Sequence, residues 1–374
     1  MSQKHLSILS IAPYRILPAT SGGHLGIVMM HHYLGKLCQD HLVSTIDNGP
    51  ADNYAFELHK VFPDKAKRYV PLCRYSAMVS IAKKYDASHI YLDHPYMAPT
   101  AIALSRKLKI PWYMRSHNIE SERFRSFGKK WWPVMRSYER FAMRNANGIF
   151  FITPEEREWG MKNFEIEAAK SHVIPYGTIL DALPQGHEAA KLQLAKETGL
   201  DPAKPWLYFL GVLDYYPNEQ AVTFILDEVM PRLNEAHTQY EILIGGKGLS
   251  EKLQAQIRET VNISYLGFVP VLDTFLKACD VMLNPVILGG GIKTKAIEAL
   301  GYNKIVVSTQ SGAEGILPAA CGDNLYIAED NDWYAFVAGI NKAVETIPSI
   351  PQAFYDNYYW GSIAQKILDI FKAG

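Results

Sequence analysis

Several features that mark whole classes of protein are scarce or missing in this chain. Its four cysteines, Cys38, Cys73, Cys279 and Cys321, lie far apart and form neither a CxxC nor a Cys/His metal pattern. That spacing fits reduced thiols in a cytoplasmic protein better than a disulfide framework or a zinc site. No apolar run approaches the ~18 residues of a membrane span. The first residues look briefly like a signal peptide, with Lys4 ahead of an apolar stretch ending at Ala12. The stretch is too short, however, and Pro13-Tyr14-Arg15 stands where a small-residue cleavage site belongs, so it reads as a buried first strand. Net charge is also absent, because 38 lysines and arginines balance 38 aspartates and glutamates. A general nucleic-acid coat needs a basic excess, which removes that class. Low-complexity tracts and solenoid repeats are missing too.

What is present is the composition of a soluble globular protein, 374 residues with 48% hydrophobic and 20% charged side chains. At ~150 residues per domain this predicts two to three domains, each able to bury its own core. Short apolar runs at 6–12, 42–46, 89–92, 112–114, 148–153 and 172–174 read as buried strands. Helical patterns at 26–39, 98–108 and 132–144 lie between them. Residues 180–205 then read as a linker, with prolines and glycine at Pro184, Gly186, Pro202 and Pro205. Beyond it the alternation restarts, with strands at 206–210, 240–244, 263–266, 281–284, 305–308 and 325–327. The prediction is an α/β protein of two Rossmann-like, doubly wound parallel-sheet domains, 1–185 and 186–354. An amphipathic last helix near 358–372, within 355–374, is expected to pack back on the first. Ligands bind beyond the C-terminal strand ends of such sheets, so two facing units would share a cleft.

Three segments could carry chemistry. Ser21-Gly22-Gly23-His24-Leu25-Gly26 follows the first strand and opens a helix, where bare backbone and a helix N-terminus favour phosphate oxygens. It is not G-x-G-x-x-G, and a glycine turn at this place is common in any α/β fold. Arg115-Ser116-His117-Asn118-Ile119-Glu120 follows another strand and projects polar groups where a ligand would lie; the plainer reading is a capped loop with His117 bonded to backbone. Residues 284–300 run from a strand end through Gly289, Gly290 and Gly291 into a helix start carrying Lys293 and Lys295. Bare amides, a helix dipole and ammonium groups there make a metal-free diphosphate cradle. Thr294, Lys295 and Glu298 share a helix face, so Glu298 could accept two hydrogen bonds from a ribose diol. The alternative is an exposed Lys295–Glu298 pair worth a few tenths of a kcal/mol.

In order and spacing of its motifs, the chain resembles the retaining glycosyltransferases of GT-B fold in family 4, over nearly its whole length and most strongly from Tyr208 to Gly315. The segments that carry the resemblance are 211–218 in its Pro-Asn form, Gly245-Gly246-Lys247-Gly248, Leu266-Gly267-Phe268-Val269, Asn284-Pro285, and 301–315. It implies a nucleoside-diphosphate-sugar donor, UDP- or GDP-linked, bound in the second domain, and a glycan or lipid-linked acceptor near the first. Donor contacts are implied for Gly22, Gly23, Gly211, Gly246, Phe268, Gly290, Gly291, Ile292 and Glu298, and catalytic roles for His117, Lys293 and Lys295. Glu298 matches the second glutamate of the family's E-x7-E motif, whereas the first falls on Gly290, whose own and Gly291's amides would have to replace it. The usual Arg/Lys pair after the first donor strand is absent, since Asp214 and Tyr215 stand there, leaving Lys293 and Lys295 to meet the diphosphate.

Reaction with retention, stabilisation of the departing diphosphate and no metal or other cofactor are the resulting expectations. Rival readings are a GT-B nucleotide-sugar epimerase and a nucleotide-sugar-binding protein without turnover. Asp330-Asn331-Asp332 spells D-x-D, but its place before a helix makes Asp332 an N-cap rather than a metal ligand. Residues 101–150 hold eleven lysines and arginines against three glutamates, interleaved with Phe124, Phe127, Trp131 and Trp132. That mixture suits peripheral contact with an anionic membrane at the inner face, or a solvated helix whose aromatics turn inward.

Overall fold

The computed structural model describes residues 6–373 apart from 64–65, 71 and 237–238. Expected readings that touch Lys4, in the opening stretch, lie outside the described residues. The chain divides into two compact units, one of residues 1–177 with 360–374 and the other Thr178–Tyr359. The expected divisions at 185/186 and 354/355 fall elsewhere, for a local reason. Thr178 pairs with Tyr359, its amide donates to the Tyr358 carbonyl at 2.7 Å, and Gly301 packs against its side chain. Thr178, just ahead of the sequence-defined linker, is therefore built into the second unit, and the linker belongs to that unit with it.

Among the described residues the first unit holds seven parallel strands: β1 (Ser7–Ile11), β2 (Gln39–Thr45), β3 (Glu57–Phe62), β4 (His89–Asp93), β5 (Trp112–Ser116), β6 (Gly148–Phe151) and β7 (Ser171–Val173). Their order is β3-β2-β1-β4-β5-β6-β7. β1, β4, β5 and β6 are buried along their whole length, as strands covered on both faces must be, which is why they read as plain apolar runs. β3 was not expected. It is a sheet edge, and its sequence Glu-Leu-His-Lys-Val-Phe is mostly half-buried or exposed, so it carries no apolar run to recognise.

Alternation along each strand divides the core into two. Leu9, Ile11, Ile90, Leu92, Trp112 and Met114 fill one side. On the other, Tyr113 and His89 meet Phe371, with ring centroids at 4.6 and 4.9 Å. Phe371 belongs to the last helix, Trp360–Ala373, whose apolar stripe of Trp360, Ile363, Ala364, Ile367, Leu368 and Phe371 is buried. That stripe places the C-terminal helix with the first unit, and burying one such aromatic contributes about 1.5–3 kcal/mol.

The second unit repeats the arrangement with β8 (Trp206–Leu210), β9 (Glu241–Gly245), β10 (Ile263–Gly267), β11 (Val281–Asn284), β12 (Ile305–Thr309) and β13 (Leu325–Ala328), ordered β10-β9-β8-β11-β12-β13. Here the period of two is explicit. Leu207, Phe209, Ile242, Ile244, Val281 and Leu283 enter one core, and Trp206, Tyr208, Leu243 and Met282 enter the other. No helix among the described residues is long and apolar enough to cross a membrane.

Candidate active site

In both sheets the strand order reverses beside the first strand of the unit, between β1 and β4 and between β8 and β11. Ligands in open α/β sheets bind beyond the strand ends at that point. The candidate residues cluster there in each unit.

In the first unit Tyr14, His94 and His117 follow β1, β4 and β5. His117 stacks on His94 with centroids 4.2 Å apart and planes 14° apart, and Tyr14 Oη lies 2.6 Å from His94 Nε2. Behind them runs a buried chain of charges. His117 Nε2 is 2.7 Å from Asp93 Oδ1, the other Asp93 oxygen is 2.8 Å from His31 Nε2, and His31 Nδ1 is 2.7 Å from Asp40. His117 is thus held by a carboxylate, not by backbone. Burial alone would keep His31 neutral, but the carboxylates on both sides push its pKa up to about 10. Burial would likewise raise Asp93, yet the bonds from His117 and His31 hold it well below the usual carboxylate range. His117 goes the other way: burial and the neighbouring His94 bring it down to about 3.

These directions fix a tautomer. An ionised Asp93 can only accept, so the proton of neutral His117 sits on Nε2 and Nδ1 keeps its lone pair. A base that weak removes few protons at neutral pH, so His117 is suited to accepting a hydrogen bond rather than to abstracting a proton. The backbone of His94 is left-handed, at φ +63°, an uncommon conformation for a non-glycine residue. It presents the imidazole to both Tyr14 and His117. Gly22 and Gly23 form the exposed first turn of the helix Gly22–Leu37, capped by Ser21 Oγ, which accepts from the His24 amide at 3.3 Å. The His24 ring is 5.9 Å from that of Tyr14, so the glycine turn adjoins the histidine corner.

The second unit has a different corner. The Gly211 amide donates to the Gly245 carbonyl, and that of Gly246 to Gly267, which joins the three turns after β8, β9 and β10. Only glycine fits at 246: φ is +131°, and an added Cβ would lie 1.8 Å from the Gly211 carbonyl oxygen. Phe268 is exposed beside this turn, with the Lys247 ammonium 4.4 Å from its ring centre. Lys295, in the first turn of the helix Thr294–Gly301, donates to Asn218 Oδ1 at 2.7 Å and lies 3.9 Å over the Phe209 ring. Asn218 in turn donates to the Val212 carbonyl. Loop 211–218 and the helix N-terminus are therefore fastened together, and the Lys295–Glu298 surface pair does not form.

Lys293 is already engaged. Its ammonium donates to the carbonyls of Gly289 and Gly291 at 2.8 and 2.7 Å, which face it because both glycines have positive φ. It shapes the loop that was expected to meet phosphate. Burial lowers the pKa of Lys295 to about 7, with the Lys293 charge adding to the effect. Glu298 is half-buried, its pKa raised to about 6 by burial, and its carboxylate makes no hydrogen bond among the described residues. Ile292 packs against the core around Trp206 and Tyr208. At Gly290 an added Cβ would meet nothing within 4 Å, so no close contact requires glycine there.

Several of these residues escaped sequence reasoning. Asp93 and His94 had a signal, since they end a strand as the 115–120 segment does. His31, Asp40 and Tyr14 had none, because their partners come from distant strands. Asp332 does cap a helix, accepting from the Ala335 amide. In the basic segment Phe127 and Trp131 are exposed, so its aromatics do not all turn inward.

The fold defines the class. Over 99% of this chain and 98% of the other, it is similar to a glycosyltransferase from Rickettsia africae, with a TM-score of 0.74 at 14% identity. It is similar also to Anabaena HepE in a complex with UDP, over 99% and 100% of the two chains, with a TM-score of 0.73 at 16% identity. Residues 22–182 match the model of Glycosyltransferase Family 4, and residues 204–346 match that of Glycosyl transferases group 1. The chain belongs to this family of GT-B glycosyltransferases. A Klebsiella pneumoniae protein described as an uncharacterized 44.6 kDa protein in the cps region is 28% identical over 134 residues, and the match spans about a third (34%) of that relative's length and of this chain.

Proposed function

We propose that this protein moves a sugar from a nucleoside-diphosphate sugar to a glycan or lipid-linked acceptor, with retention of configuration and without a metal ion. The observation that carries this reading is the corner of the second unit. It combines the helix N-terminus at Thr294, the half-neutral Lys295 fastened to the 211–218 loop, and the Glu298 carboxylate, which has no hydrogen bond among the described residues. A diphosphate supplies the negative charge that Lys295 lacks, and a ribose diol supplies the donors that Glu298 lacks. UDP bound to HepE, a protein of the same fold, supports a nucleotide donor.

Departure of a sugar from its diphosphate builds negative charge on the leaving oxygens. The amides of the glycine loop and the Lys295 ammonium oppose that charge before it develops, which is where preorganised donors lower a barrier. His117, neutral and held by Asp93, accepts a hydrogen bond from a sugar hydroxyl through Nδ1. The acceptor's proton is left to the departing phosphate. The exposed Phe127, Trp131 and Val134 among Arg123, Arg125, Lys129 and Lys130 support an acceptor displayed on an anionic membrane at its inner face.

The test is thermal shift against UDP- and GDP-sugars with EDTA and with Mg²⁺, followed by donor hydrolysis. Ligand at about 100 times Kd adds roughly 2.7 kcal/mol to the native state. The expected result is a shift with one base, unchanged by EDTA, and slow release of free sugar. An isomerised donor would instead identify an epimerase. Binding without either product would identify a protein that holds nucleotide sugars without turning them over. No shift with any donor would overturn the reading.

A further inference from the structure

Three metal-ligating side chains converge near the beginnings of β2 and β3, whereas the histidine corner lies beyond the ends of β1, β4 and β5. His41 on β2 pairs with Glu57 on the edge strand β3, and His59 follows two residues later, so all three share one face of the sheet. His59 Nε2 lies 3.3 Å from His41 Nδ1, His41 Nδ1 lies 3.3 Å from Glu57 Oε2, and His59 Nε2 lies 3.7 Å from Glu57 Oε1.

Protons cannot satisfy this triangle. A carboxylate only accepts, and a neutral imidazole has a single N–H. A proton on His41 Nδ1 faces both other atoms, but leaves the His59 lone pair against the Glu57 oxygen. A proton on His59 leaves the His41 lone pair against Glu57 in the same way, and protons on both, each donated to its own Glu57 oxygen, set two N–H groups against each other at 3.3 Å. One cation at the centre answers all three contacts. The spacing also has the right size: ligands about 2.0–2.1 Å from a tetrahedral zinc stand about 3.3 Å from each other.

The surroundings fit. The Tyr85 ring stacks on His41 with centroids 3.7 Å apart, its hydroxyl donates to Glu57 Oε1 at 2.7 Å, and Lys84 donates to that hydroxyl. A hydrogen-bonded, oriented carboxylate is what surrounds bound metals generally. The Glu57 side chain is 51% exposed, so a fourth ligand position opens to water.

We infer that His41, Glu57 and His59 form a site for one divalent transition-metal ion of zinc type, tying the edge strand β3 to β2. The site shares no residue with the candidate active site and stands independently of the proposed sugar transfer. It was invisible to linear motif reading because its ligands come from two strands.

The experiment is titration of untagged, EDTA-treated and desalted protein with Co²⁺, followed by visible absorption, and with Zn²⁺, followed by calorimetry and melting temperature. One Co²⁺ per chain is expected, with the strong visible bands of a low-coordinate ion displaced by Zn²⁺, together with a higher melting temperature in Zn²⁺. His59→Gln and Glu57→Gln keep the metal-free melting temperature and lose at least about tenfold in affinity, the effect of disturbing even an outer partner of a metal site. Absence of stoichiometric uptake in the wild type would overturn the inference. So would uptake in both variants equal to that of the wild type, which would mark an adventitious surface histidine.

Discussion

The two units share one strand order but place opposite chemistry at the same topological point. In the first, a buried relay of titratable groups runs from His117 and Asp93, at the ends of β5 and β4, through His31 on the helix Gly22–Leu37 to Asp40 at the start of β2. In the second, the loops and helix start beyond the strand ends carry glycines, two lysines and one glutamate whose carboxylate makes no hydrogen bond among the described residues. In the first corner the relay is paired from Asp40 to His117 Nε2; the second is short of negative charge at Lys295 and of donors at Glu298. A satisfied network holds a ring in place, whereas an unsatisfied one is built to receive a ligand. This contrast predicts where a substitution harms folding and where it harms binding.

The largest effect is expected in the first unit. Asp93→Ala leaves the His31 cation with one carboxylate and frees His117, so it should lower unfolding free energy by about 3–5 kcal/mol, the range for breaking a buried charge pair. Urea denaturation checks this. The sign of the pH dependence follows from the raised His31 pKa, about 10 folded against about 6.5 unfolded. Its contribution is complete below about pH 6.5 and is lost as pH rises through about 10. Comparing His31→Gln with wild type at pH 7 and pH 9.5 should therefore give a smaller stability difference at the higher pH. An equal difference would mean that His31 is neutral and the relay is not ionic.

In the second unit the larger effect falls on ligand. Lys295→Ala should weaken binding of the nucleoside-diphosphate sugar by ~1.5–3 kcal/mol, as for hydrogen bonds to charged groups, while costing far less stability than the change at Asp93. Unchanged donor affinity by calorimetry would misplace the diphosphate. The pKa directions add a pH profile. Glu298, raised to about 6, loses its acceptor role as pH falls through that value. Lys295, lowered to about 7, loses its charge as pH rises. Affinity for the nucleoside diphosphate should therefore be greatest between about pH 6 and 7, with the acid limb missing in Glu298→Gln and the alkaline limb missing in Lys295→Ala.

The smallest effect on stability belongs to Gly290→Glu. Space around the position is open, so unfolding free energy should hold or rise slightly, by the ~0.4–1 kcal/mol that a glycine replacement gains from the unfolded chain, read as an unchanged or slightly higher melting temperature. Donor preference is the informative readout. A change in which sugar is hydrolysed would place position 290 beside the sugar, and no change would separate it from the donor.

Much of the fold was legible because its strands are buried on both faces and announce themselves as apolar runs; 206–210 and 281–284 coincide with β8 and β11 residue for residue. β3 was not legible, because an edge strand has no need of a continuous apolar sequence. At the site, the glycine turns and Lys295 could be read from their position between a strand and a helix. The use of Lys293 to shape its own loop could not, since that depends on two positive φ angles that put carbonyls toward it.

By itself the sequence determined two doubly wound α/β units, the run of glycines and lysines at residues 289–295 between a strand and a helix, and the family to which these motifs correspond. All of these follow from local periodicity and short-range spacing, which neighbouring residues fix among themselves. Tertiary structure alone decided that His117 is neutral with its proton on Nε2, that Lys295 is held by Asn218 rather than Glu298, and that His41, Glu57 and His59 meet. Those facts depend on partners 77 residues away for Lys295, 24 for His117 and 18 between His41 and His59. Parallel strand pairing brings such groups together, and the burial it creates sets their charge.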